Sequence, residues 1–81
     1  MTAHGGFLDR MNRRLEQLGH QLADAPEAIR SELAPMLQVQ RERLAELRRL
    51  GPDLSTEASQ SFAAAVERLA ARIGGAERDA A

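Results

Sequence analysis

Cysteine, lysine, tryptophan and tyrosine are all missing from this chain of 81 residues, and its only aromatic side chains are Phe7 and Phe62. Without cysteine there is no disulfide, and with only His4 and His20 beside it there is no ligand set for a structural zinc. With two rings to work with, a core has to be built from Leu, Ile, Val, Met and Ala. A single core in so short a chain rarely supplies more than about 3 to 5 kcal/mol, so a partner or self-association is the staple that remains. Long apolar runs are missing too. The longest, Phe62 to Val66, falls far below the roughly 20 residues that span a bilayer. The start, Met1 to Gly6, carries no basic-then-apolar signal pattern, which places the chain in the cytoplasm as an expectation. All eleven basic residues are Arg and the formal net charge is -1. The arginine bias reads as the trace of a GC-rich, bacterial genome, and the charge balance argues against nucleic acid as the first partner.

What the chain does have is an apolar seam. Leu8, Met11, Leu15, Leu18, Leu22 and Ala25 are spaced 3, 4, 3, 4, 3, a heptad pattern that marks a helix with a narrow stripe meant for another helix. Glycines and prolines punctuate the rest into three helices, about 6–23, 26–50 and 55–73, in a single domain. Gly19 costs the first of them roughly 1 kcal/mol against Ala, which close packing by a neighbour would explain. At the first turn, Asp24 or Ala25 caps and Pro26 enters the opening turn of the second helix. Its stripe is Ile29, Leu33, Leu37, Leu44 and Leu47, with Gln40 in a place that calls for an apolar side chain, and with Met36, Val39 and Leu50 widening the buried face. Pro35 lies in its interior, where it removes one backbone bond and predicts a kink or a short break; Ala34 is a poor N-cap for a fresh helix, which favours one kinked helix over two. Gly51-Pro52 ends it. Ser55 or Thr56 caps the third helix, whose stripe is Ala58, Phe62, Val66, Leu69 and Ile73; Gly74-Gly75 are read as its stop and 76–81 as a flexible tail. The fold expected is all-α: a small three-helix antiparallel bundle, or a helical hairpin with a third helix laid on it, packed in coiled-coil fashion.

Chemistry is sparse by comparison. His20 and Asp24 stand four apart but have no further ligand to join them, and Ser31, Ser55, Ser59 and Ser61 lack the base and orienting group that nucleophilic catalysis needs. Gly5-Gly6 and Gly74-Gly75 lack the remainder of any nucleotide fingerprint, and Glu42 and Glu46 stand among arginines on a solvated face. No catalytic, metal or cofactor site is expected. Arg41, Arg43, Arg48 and Arg49, with Arg10, Arg13 and Arg14 on the first helix, are the residues an anionic partner would contact. Glu42 and Glu46 interrupt that cluster, and there is no aromatic side chain beside it to stack on a base.

The function expected is therefore non-enzymatic, helix-mediated protein binding, as an assembly or accessory subunit, an adaptor or a small chaperone, or through self-association as a homo-oligomer. Its expected partner-binding residues are Leu8, Met11, Leu15, Leu18 and Leu22 on the first helix and Leu37, Gln40, Leu44 and Leu47 on the second. Gln40 either sets register, since a lone polar residue on a seam can specify a partner, or lies at the edge of a broad stripe with Val39 taking the core place. The alternative is a small nucleic-acid-binding or antitoxin-like regulator that uses the arginines of the second helix. In size and patterning, though by no motif, the chain resembles small helical secretion chaperones and complex-stabilising subunits.

Overall fold

A computed structural model describes residues 3–80, and the side chains of residues 6–75 apart from Pro52. Helix α1 spans Ala3–Ala23, α2 Glu27–Leu50 and α3 Thr56–Ala80, with a single 3₁₀ turn at Gly51–Asp53 between the last two. Every pair of helices packs together, and among the described residues there is no strand. The fold is a small all-α three-helix bundle. Asp9 meets Arg48 and Gly19 meets Leu37, so α2 runs back along α1; Glu32 meets Arg72, so α3 runs back along α2.

Its core follows the heptad stripes. Leu8, Leu15, Leu18 and Leu22 of α1 close on Leu33, Leu37, Leu44 and Leu47 of α2, and on Phe62, Val66, Leu69 and Ile73 of α3, with Leu54 sealing the second connection. Leu15, Leu18, Val66 and Ile73 are the most deeply buried, and no polar side chain is buried among the described residues. Burial of these aliphatic groups, at about 25 cal/mol per Å² of apolar surface removed from water, drives the fold. One exposed ion pair joins each pair of helices: Asp9 to Arg48 at 3.8 Å, Arg14 to Glu67 at 3.5 Å and Glu32 to Arg72 at 2.9 Å. Exposed pairs of this kind contribute little to stability and chiefly favour one arrangement over others.

The ends of the helices refine the sequence reading. Pro26 itself, rather than Asp24 or Ala25, is the N-cap of α2, and its carbonyl accepts from the N–H groups of Ile29 and Arg30, each at 3.0 Å. A cap residue needs no N–H of its own, so proline fits there without loss. Arg30 reaches back over the turn and donates to the carbonyl of Ala23 at 3.3 Å. Gly51 ends α2 with φ of 52°, the left-handed region that glycine enters without a steric penalty. Ser55, not Thr56, caps α3: its Oγ accepts from the N–H of Ala58 at 3.0 Å while Ser59 Oγ donates to its carbonyl, also at 3.0 Å. Replacing Ser55 by alanine is expected to lower stability by about 1 kcal/mol in a urea titration; a midpoint identical to that of the parent would show that this cap contributes nothing.

Two expectations need correction and one alternative is resolved. Of the kink or break open at Pro35 the break does not occur, and α2 is one uninterrupted helix from Glu27 to Leu50, as favoured. Pro35 faces solvent while Leu33 and Leu37 on either side of it are buried, so tertiary packing holds the helix across the lost hydrogen bond. Gly74 and Gly75 do not stop α3, which continues to Ala80, so the segment read as a tail is helical as far as it is described. Glycine inside a helix costs roughly 1 kcal/mol and does not forbid it, and Ile73, fully buried, anchors the turn just before the pair. At its start, α1 begins at Ala3 rather than near Gly6. Gly19 does have a packing role: a Cβ there would lie 2.6 Å from Arg41 Nη2 and 3.7 Å from Leu37 Cδ2. The neighbour it admits is the folded-over guanidinium of Arg41.

Candidate docking groove between the second and third helices

Helix α2 carries a second heptad-spaced row besides the one in the core. Met36, Val39, Arg43, Glu46 and Leu50, spaced 3, 4, 3, 4, are all exposed. Met36, Val39 and Leu50 keep 38%, 58% and 45% of their surface open to solvent, which corrects the expectation that they widen the buried face. Opposite Val39, α3 offers Ser61 and Ala65, side chains too short to cover it, while Arg72 reaches Met36 only at its sulfur. Between the two helices the surface therefore sinks into a furrow made of two adjoining depressions of about 330 and 360 Å³.

The depressions share Val39, Gln40 and Ala65, which makes them one continuous feature. Phe62 lines one and Leu69 the other, and both are almost fully buried, so the floor is the edge of the core itself. Met36 and Val39 form the lip. Around one depression stand Arg68 and Arg72; around the other stand Glu42 and Glu46 with Arg43. Arg72 bridges the helices at the first of these ends, donating to Glu32 Oε1 at 2.9 Å and to Met36 Sδ at 3.2 Å. Arg43 lies 3.7 Å from Glu46 along the same helix. The furrow is thus mainly apolar at the end that Met36 and Leu69 line and mixed at the other, where Gln40, Glu42, Arg43, Glu46 and Ser61 line it, and Arg72 and Arg43 are already paired with Glu32 and Glu46.

Most of the residues expected to bind a partner lie elsewhere. Leu8, Leu15, Leu18, Leu22, Leu37, Leu44 and Leu47 are 1% to 7% exposed and belong to the core of the bundle, where they face one another. Met11 packs half-buried against that core. Gln40 alone among them is half-buried in the furrow. The arginines do not gather on one face: Arg41 folds over Gly19 and Arg48 pairs with Asp9, both toward α1, while Arg43 pairs with Glu46 beside the furrow and Arg49 is exposed. His20 is exposed, and the side chain of His4 lies outside the described residues. Sequence reasoning missed Met36 and Val39 as surface residues and Arg68 and Arg72 altogether, and it placed Ala65 only as a flank of the α3 stripe. The signal was present in the 3, 4, 3, 4 row set beside a small-residue flank, which a search for buried stripes passes over.

No helix among the described residues is long and apolar enough to cross a membrane. No family model matches the chain, and no curated protein or solved structure matches it either.

Proposed function

We propose that this chain is a non-enzymatic, helix-mediated protein-binding module, an accessory or adaptor subunit that docks a partner helix in the furrow between α2 and α3. The observation that supports it is Val39, more than half exposed at the centre of the furrow and set above an apolar floor. A helix that lays its apolar stripe into such a channel places anchors at i, i+3 or i+4, and i+7 against the depressions. Covering the lip removes apolar surface from water, whereas leaving it open costs the chain solubility and returns nothing. The buried seam supports the same reading indirectly, because a bundle that satisfies its own leucines is a rigid platform on which a groove keeps its shape.

Site-specific photocrosslinking in living cells tests this. A benzophenone side chain in place of Val39 or Ala65 is expected to form protein adducts in high yield, and the same group in place of exposed Arg13 on α1 is not. Equal yields from all three positions, or adducts from position 13 alone, would show that the furrow is not the docking surface.

A further inference from the structure

We infer that Met36 is a modification site: a peroxide converts its thioether to the sulfoxide, and Arg72 holds the oxygen so gained across the gap between α2 and α3. Three observations meet on this side chain. Met36 keeps 38% of its surface open to solvent, whereas Met11 packs half-buried against the core. Its sulfur lies 3.2 Å from Arg72 Nη1. Arg72 Nη2 is fixed at the same time by Glu32 Oε1 at 2.9 Å. The guanidinium is thus anchored by a carboxylate and presents its other nitrogen to the sulfur. A thioether is a weak acceptor and gains little from such a donor. Oxidation makes the group polar and places an oxygen acceptor on the atom that the donor already touches, where a charge-assisted hydrogen bond can form.

The reaction is a two-electron oxygen transfer. The sulfur lone pair attacks one oxygen of hydrogen peroxide, the O–O bond breaks, and the second oxygen leaves as water once the proton of the first has moved to it. Sulfur is oxidised and the peroxide is reduced, with no further reactant, and cells reduce the sulfoxide back enzymatically. Oxidation of a core methionine disrupts packing, but Met36 stands outside the core and the modified chain keeps its fold. On the docking reading, the sulfoxide takes apolar surface from the lip beside Val39 and weakens docking there. The site itself does not depend on that reading.

Two measurements on the purified full chain test this, and neither needs a partner. The first is the rate at which hydrogen peroxide adds oxygen to each methionine, followed by mass spectrometry of tryptic fragments. Met36 lies between Arg30 and Arg41 and Met11 between Arg10 and Arg13, so the two are read separately. In the folded chain Met36 is expected to react several-fold faster than Met11, and in denaturing urea the two rates should converge. Equal rates in the folded chain overturn Met36 as the site. The second measurement is the shift in melting point on oxidation, in the parent and in Arg72→Leu, with Met11→Leu in both. Met1 is common to the two chains and cancels. The lost pair with Glu32 weakens the variant in both its reduced and its oxidised form, so it cancels as well. The parent is expected to melt no lower once oxidised and the variant to melt lower, the two shifts differing by about 5 °C, the size of one such hydrogen bond in a domain of this length. Equal shifts would show that Arg72 does not hold the oxygen and would overturn the inference.

Discussion

Leu15→Asp is expected to unfold the chain outright, with loss of the far-ultraviolet helical signal at 25 °C. Leu15 is 1% exposed and lies where α1 meets both other helices. The substitution removes a buried isobutyl group, worth about 2 to 5 kcal/mol when a core leucine is truncated. It also puts a carboxylate where the described residues bury no polar partner for it, a further penalty of several kcal/mol unless the group takes up a proton. Against a total of about 3 to 5 kcal/mol for a domain of this size, the two together are enough. Val39→Asp is the matched control, carrying the same charge on the same bundle at an exposed site, and it should keep the helical signal with a melting point close to that of the parent. If Leu15→Asp remained helical and lost only binding, the seam of α1 would face a partner and the core described above would be wrong.

Pro35→Ala should act in the opposite direction and stabilise the bundle by about 2 kcal/mol. Proline in a helix interior is about 3 kcal/mol less favourable than alanine, because its ring crowds the preceding turn and it has no N–H to give the carbonyl of Ser31. Part of that gain is offset, by up to about 1 kcal/mol, because proline also restricts the unfolded chain. No core contact is lost, since the ring is exposed. For a domain of this length the gain corresponds to a rise in melting temperature of roughly 10 °C, with the urea m-value unchanged. A lower melting point would mean that the geometry proline imposes on α2 is one the bundle needs.

How much of this was legible in the sequence depended on which force decided each element. The seam from Leu8 to Leu22 could be read because its period is a direct record of burial, and all four of its leucines lie in the core. Gly51-Pro52 could be read because a left-handed glycine is a local requirement, independent of what packs nearby. Gly74-Gly75 were misread for the converse reason: their local cost is real, but the burial of Ile73 outweighs it, and a sum over tertiary contacts is not written in the adjacent residues; Pro35 left kink and break open, and α2 runs through it unbroken, as the favoured single helix requires. The furrow was the least legible. Met36 and Val39 look like core residues by hydropathy, and it takes the short Ser61 and Ala65 of a distant helix to leave Val39 open, with no apolar side chain but only Arg72 reaching Met36. The arginines of α2 read as a cluster along the chain yet divide between two flanks once the helix turns.

The connections between the helices also govern time. Residues 24–26 and 51–55 are the only links between α1, α2 and α3, and each joins two elements that lie side by side. Little chain entropy is then spent in closing any loop, and most contacts are made between near neighbours along the polypeptide. Helical proteins of this topology find their native arrangement within microseconds to milliseconds. Each opening of a chain so built is therefore brief, while the share of molecules open at any moment follows from its thin stability and not from its speed.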